Sequence, residues 1–418
     1  MSEQRIVVVG AGMAGMQTVV SLREQGHRGE LLLLGAEAHP PYDRPPLSKD
    51  VLLGKAEHSR FEVDYAGLGV ELLLDRRAEG LDPDARLLRT DAGEVGYDRL
   101  VLATGAHPIA LPDQPAGTHL LRTHDDALAL RAALRPGARI VVVGAGWIGA
   151  EAATVARLLG CEVTVVEAAP VPLAGALPGE IGQRMVPWYA EAGADLRTGA
   201  AVSGIVAADQ RLEGVSGFAV LLTDGTELDA DAVVVGIGAR PETGWLSGSG
   251  IALDDRGAVA VDAALRTSAP GVYAVGDCAS FPSARYGTRL MVHHWDNALQ
   301  APRTAAANLL AEAAAESAPQ VYDPVPYFWS EQFGRMVQYA GHHLPGDELL
   351  WRGDPAGGPG TAGGWGALWL RGDVPVALLT VDRPRDLAQG RRLVERGTPL
   401  DRALAADPDV QLKAAARP

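Results

Sequence analysis

The chain has 418 residues, enough for two or three domains, and its 47% hydrophobic and 21% charged content is that of an ordinary globular protein. A formal net charge of −15 and a pI near 5.1 argue against non-specific binding to nucleic acid. The two cysteines, Cys161 and Cys278, are far apart and form no CxxC pair, which argues against a disulfide framework, a metal site or a dithiol redox centre. A reducing, cytoplasmic compartment is the default expectation.

Ile6–Val9 is a short β-branched run that predicts a buried parallel strand. Arg5 followed by an apolar run to Val20 imitates a signal peptide, but three glycines at nucleotide-loop spacing and a polar Gln17-Thr18 favour the first unit of a folded domain. No uncharged apolar run approaches the ~20 residues of a membrane helix, so no membrane partner is expected. Gly10-Ala11-Gly12-Met13-Ala14-Gly15 follows, then a helix to about Gln25, a strand over Glu30–Leu34 and Glu37 beyond its end. Strand, GxGxxG, helix, strand, acid is the order that a dinucleotide-binding fold requires. Glycines allow a pyrophosphate to approach the helix N-terminus, and the acid accepts from a ribose.

The next stretch, Pro40-Pro41-Tyr42-Asp43-Arg44-Pro45-Pro46-Leu47-Ser48-Lys49, carries four prolines and predicts a stiff loop, neither helix nor central strand. Leu100–Ala106 then reads as a hydrophobic strand whose end, Ala103-Thr104-Gly105, delivers backbone to a nucleotide. The first pattern recurs at Arg139–Val143, Gly144-Ala145-Gly146-Trp147-Ile148-Gly149, a helix to Leu159, a strand over Glu162–Val166 and Glu167. Two fingerprints predict two dinucleotides. Ala232–Gly238, with Gly236 and Gly238, repeats the nucleotide-facing strand, and Gly271–Asp277 is a third such strand ending in an Asp suited to a sugar-alcohol chain.

That late strand predicts a discontinuous first domain, 1–112 and 242–322, with 113–241 inserted as the second. From 323 to 418 an aromatic-rich segment, three strand-like pieces and a helix over Leu387–Arg396 predict a small α+β domain, with Pro355–Gly366 a mobile Gly-rich loop.

The two fingerprints, Pro41–Lys49, Ala103-Thr104-Gly105, Gly236-Ile237-Gly238, Gly276-Asp277, His294-Trp295-Asp296-Asn297-Ala298 and Trp329-Ser330-Glu331-Gln332 together resemble the FAD-dependent ferredoxin reductases of bacterial oxygenase systems. The resemblance implies an α/β, glutathione-reductase-like fold with an FAD domain, an NAD domain and a C-terminal domain. Gly10, Gly12, Ala14, Gly15 and Glu37 would hold the adenine half of FAD. Arg44, Lys49, Ala103, Thr104, Gly105, Asp277 and Trp295 would lie along or beside its flavin half. Gly144, Gly146, Trp147, Ile148, Gly149, Glu167, Gly236 and Gly238 would hold the nicotinamide dinucleotide.

Ala36 stands where the family often has an acid, so Glu37 would serve the FAD ribose alone. His293 and His294 precede Trp295 where relatives vary, and neither is assigned chemistry. Lys49 and Glu151 are the expected catalytic pair, an ion pair beside the flavin, and Trp147 is expected to gate the nicotinamide pocket. Glu167 favours NADH over NADPH, since a carboxylate accepts from a free 2′-hydroxyl and repels a 2′-phosphate.

The implied partner is an iron–sulfur ferredoxin feeding a mono- or dioxygenase, with Arg285, Arg289, Arg303, Arg335, Arg383 and Arg385 as docking candidates, and the chain a monomer or homodimer. Flavin disulfide reductases share the fold but need a redox cysteine that Pro40–Lys49 lacks. Monodehydroascorbate reductases carry a similar loop and differ in acceptor. A reading of another class, an FAD-binding interaction protein like apoptosis-inducing factor, requires a basic surface and targeting segments.

Overall fold

A computed structural model describes residues 4–207, 217–314, 318–353 and 364–417. Its first sheet is parallel and five-stranded, in the order Val272–Ala274, Arg99–Leu102, Ile6–Val9, Leu31–Leu34, Glu71–Leu73. Ile6–Val9 and Leu31–Leu34 are buried throughout, which explains their unbroken apolar character. The outer strand Val272–Ala274 arrives after the second fingerprint, so the first nucleotide-binding unit is assembled from two separated segments.

Helix α1 (Met13–Glu24) leaves the first glycine loop. Helix α2 (His124–Ala133) begins the inserted segment with a capping box formed by Thr123 and Asp126. The second parallel sheet has the order Asp195–Thr198, Glu162–Glu167, Arg139–Val143, Ala232–Val235. Helices α3 (Trp147–Leu158) and α4 (Gly179–Glu191) belong to this unit. Helix α5 (Trp295–Ala313) returns to the first unit and packs on α1.

Two long strands expected from the sequence are each broken. The run from Leu100 pairs in the main sheet only to Leu102, and Ala106–Pro108 pairs instead with Ala239–Pro241 as an antiparallel ribbon between the two units. Gly105 and Gly238, with φ of 76° and 123°, supply the turns that L side chains rarely adopt. Gly271–Asp277 shortens likewise to Val272–Ala274, followed by a 3₁₀ turn at Gly276–Cys278. The proline-rich stretch holds a 3₁₀ turn over Pro45–Ser48, contrary to the expectation of no helix. Proline is preset for the first helical positions, where its missing N–H costs nothing.

The C-terminal unit is an antiparallel sheet in the order Tyr327–Gln332, Arg335–Gly341, Val374–Val381, Trp365–Arg371, Glu348–Arg352. Helix α6 (Pro384–Arg396) covers it and stops at Gly397, in the left-handed region at φ 60°. Residues 354–363, most of the expected Gly-rich loop, lie outside the described residues.

Arg352, only 1% exposed, donates two bonds to Asp386 at 2.8 and 3.0 Å and others to the carbonyls of Ala405, Asp407 and Val410. It fastens the last sheet strand to the C-terminal tail. Replacing Arg352 by Leu leaves Asp386 buried with Arg383 as its remaining cation, and a loss of about 3 kcal/mol is expected in denaturant titration.

Candidate functional site

A cavity of about 1000 Å³ runs between the two nucleotide units and is closed on one side by the C-terminal sheet. Helices α1 and α3 both open onto it at Gly12 and Gly146, and neither has a side-chain cap. Their first amides are thus free to meet an anion, with the helix dipole favouring negative charge. An added Cβ on Gly12 would meet nothing within 4 Å, so this position is bare toward the cavity.

Gly15 and Gly149 stand behind the loops. A Cβ on either would lie 1.8 or 2.0 Å from the carbonyl oxygen of Gly10 or Gly144, so close packing of loop on helix demands glycine there. Every other nucleotide-site residue named from the sequence lines the cavity: Gly10, Ala14, Glu37, Arg44, Lys49, Ala103, Thr104, Gly105, Asp277 and Trp295 on one side, and Gly144, Trp147, Ile148, Glu151, Glu167, Gly236 and Gly238 on the other. Two bare helix N-termini, each followed by an acid at the end of the next strand, fit two dinucleotides.

The first acid is already organised. Glu37 accepts from the Tyr42 hydroxyl at 2.5 Å and from Arg44 at 2.8 Å, while Arg44 also donates to the carbonyl of Arg122. Arg44 is thus tied to the acid assigned to the adenine half, and the field of Asp277, assigned to the flavin half, also reaches it. The 3₁₀ turn after Arg44 separates it from Lys49. The second acid, Glu167, accepts from the amides of Ala145 and Ala169 at 2.7 and 2.8 Å, which fixes its carboxylate under the second loop.

Lys49 and Glu151 meet as an ion pair of 2.7 Å, with side-chain exposures of 17% and 5%. Such a desolvated carboxylate needs further donors. Ser48 supplies one at 2.5 Å to the same oxygen, and Ser330 supplies another at 2.7 Å to the other oxygen. Gln332 in turn donates to the Ser330 hydroxyl at 3.2 Å. Ser48, Ser330 and Gln332 sit inside sequence motifs noted above, but only the fold brings them to Glu151.

The remaining cavity residues have partners that spacing does not suggest. Asp277 is paired with Arg122 at 3.0 Å across 155 residues, and no sequence pattern marks Arg122. The Trp295 indole donates to Asp43 at 2.8 Å, and the hydroxyl of Thr104 to the carbonyl of Glu242 at 2.6 Å. Burial raises the pKa of Asp43 above the ordinary carboxylate range despite that indole. Trp147 is half-buried and packs edge-on against Phe328, with ring centres 4.6 Å apart. Trp329 lies edge-on to Trp295 at 5.7 Å, also against the cavity.

Most docking arginines are engaged. Arg285 donates to the carbonyls of Val394 and Glu395, and Arg289 to those of Val261 and Ser280. Arg335 pairs with Glu191 and Arg383 with Asp386, while Arg303 and Arg385 are exposed.

Two tests follow from this geometry. Gly149→Ala is expected to displace the second loop and weaken nicotinamide-dinucleotide binding at least about tenfold while leaving FAD bound, as read by nucleotide titration of the flavin spectrum. The second concerns acid. Burial lowers the pKa of His293, His342 and His343 and takes His294 down to about 4, with Asp277 only partly opposing it at His293 and His294. The unfolded chain therefore binds protons that the folded chain refuses, so stability is complete above about pH 6.5 and falls as pH drops from there toward 4. Thermal midpoints across that range should decline, and those of His294→Phe less steeply.

Comparison with known proteins agrees with this geometry. Residues 4–301 match the model of the pyridine nucleotide-disulphide oxidoreductase family, and residues 327–416 match a reductase C-terminal model. The chain is 36% identical over 424 residues to the ferredoxin–NAD(+) reductase component of the anthranilate 1,2-dioxygenase system of Burkholderia cepacia, covering 99% of both chains. The solved structure of Fdr9 shares 48% identity at a TM-score of 0.90, covering 99% of this chain and 100% of that one. The covalent putidaredoxin reductase–putidaredoxin complex gives 31% identity and a TM-score of 0.90, with 99% of each chain covered. Two glycine loops on one cavity and matches along almost the whole length lead to one assignment: the chain belongs to the pyridine nucleotide-disulphide oxidoreductase family.

Proposed function

We propose that the protein is an NADH-dependent ferredoxin reductase, carrying electrons from NADH through FAD to an iron–sulfur ferredoxin that serves an oxygenase. The observation that carries this reading is the Lys49–Glu151 pair, which joins the loop after the first fingerprint to the helix of the second. Bound flavin supplies the chemistry, accepting a hydride from the nicotinamide and releasing electrons singly to the acceptor.

The chain's own work is orientation and charge. Glu151 holds the Lys49 ammonium in the cavity, and the carbonyl of Pro45 accepts from the same ammonium at 3.3 Å. A cation fixed there would hold a flavin bound in the cavity in a favourable field for negative charge, with little reorganisation of the protein. Trp147, poised on Phe328 at the mouth of the second loop, is suited to gate the nicotinamide.

No side chain relays electrons through sulfur. Cys161 and Cys278 are the only cysteines of the chain, and both are fully buried with thiol pKa values raised by burial. An acceptor outside the chain is therefore the reading that the buried thiols support, and the names of the relatives point to a ferredoxin. The preference for NADH rests on Glu167, held by two amides and followed by Ala168-Ala169-Pro170, with no arginine to offset a 2′-phosphate.

Stopped-flow reduction of the bound flavin followed by mixing with candidate ferredoxins tests the whole proposal. Lys49→Met is expected to retain FAD but to slow flavin reduction by NADH at least about tenfold, and a wild-type rate would refute the role given to the pair. The specificity constant for NADH should exceed that for NADPH by at least about tenfold, and Glu167→Ala should narrow the gap.

A further inference from the structure

The first two strands of the C-terminal sheet, Tyr327–Gln332 and Arg335–Gly341, are joined by only Phe333 and Gly334. Both have positive φ, 50° and 76°. Two-residue hairpin loops with both φ values positive favour Asn-Gly or Gly-Gly, whose short or absent side chains tolerate the left-handed region. A bulky aromatic at the first position is an outlier that costs on the order of 1 kcal/mol or more, and it persists only where its surroundings hold it.

What holds Phe333 belongs to the second nucleotide unit. Its ring packs on Tyr189 of α4 with centres 4.5 Å apart. Its amide donates to the Thr154 hydroxyl of α3 at 2.9 Å, and that hydroxyl itself donates to the carbonyl of Ala150 at 2.7 Å. Next to it, Arg335 pairs with Glu191 at 2.5 Å and lies over the Trp188 ring at 5.0 Å, both on α4.

The strand leading to this tip follows α3 residue by residue. Phe328 meets Trp147, Ser330 bonds Glu151, and the Phe333 amide bonds Thr154. Positions 147, 151 and 154 share one helix face, and 328 and 330 share one strand face. A single edge of the C-terminal sheet thus contacts two of the cavity-lining side chains of α3, Trp147 and Glu151, and Phe333 anchors its far end.

We propose that Phe333 is a positioning residue: the hairpin tip plugs into the second nucleotide unit and fixes α3 so that Glu151 and Trp147 face the Lys49 loop. This inference rests on the reductase reading for the reaction it serves, though not on the identity of the electron acceptor. Loss of the ring lets α3 shift relative to the Lys49 loop, while the glycine loop at its N-terminus still receives the dinucleotide. Hydride transfer should suffer more than nucleotide affinity.

The test is Phe333→Asn in the FAD-loaded enzyme, because Asn suits a left-handed turn and keeps the hairpin while removing the plug. Expected are unchanged FAD content, at least tenfold faster hydrogen exchange of the α3 amides, and a limiting rate of flavin reduction by NADH lowered about fivefold or more with a dissociation constant within about twofold of wild type. Phe333→Tyr should restore both readouts. Wild-type exchange and rate in Phe333→Asn, or a Tyr variant as impaired as the Asn variant, would overturn the proposal. Should Phe333→Asn fail to fold, Thr154→Val removes the other half of the junction and is expected to speed α3 exchange at least threefold; unchanged exchange there also overturns it. Hydrogen exchange needs neither NADH nor ferredoxin, so a wild-type enzyme that reduces no ferredoxin would sink the acceptor assignment and leave this result readable.

Discussion

One buried carboxylate ties the molecule together. Glu151, 4% exposed, lies on the helix of the second nucleotide unit and accepts from Ser48 and Lys49 of the first unit and from Ser330 of the C-terminal sheet. A charge in that position is costly unless each lone pair finds a donor. The donors come from two segments, one more than a hundred residues before Glu151 and one more than a hundred after it, so satisfying Glu151 requires all three units to be in place. The bond network that makes the carboxylate tolerable is also what holds the Lys49 ammonium at the cavity.

Around this junction the two nucleotide units differ in how finished they are. The first acid, Glu37, is locked by Tyr42 and Arg44, and Tyr42 also accepts from the amide of His124 at the start of α2. That network ties the proline-rich loop to the inserted unit at a second place. Among the described residues, the second acid is held by backbone amides of its own unit. A tightly built first site suits a resident cofactor, and a simpler second site suits a substrate that comes and goes.

Rigidity in this chain is achieved through proline and through strain. The prolines before Lys49 shape a 3₁₀ turn that points the ammonium at Glu151, while Phe333 keeps an unfavourable backbone conformation because its ring packs on Tyr189 of α4 and its amide bonds Thr154 of α3. Each device fixes one end of the same junction.

The sequence by itself determined the elements with local causes. The succession of apolar runs, glycine loops and acids marked the opening strand and helix of both nucleotide units at nearly their observed bounds, because close backbone approach and burial on both sheet faces leave few residue choices. The late strand Val272–Ala274 was legible for the same reason. Tertiary structure alone decided the rest. It broke the strand after Leu102 to form the ribbon between units, paired Arg44 with Glu37, and brought Arg122 to Asp277 and Ser330 to Glu151. Apart from Arg44 to Glu37, those contacts span more than a hundred residues, and their residue types are common on any surface. Only the packing of three units around one buried charge gives an ordinary serine or arginine its function.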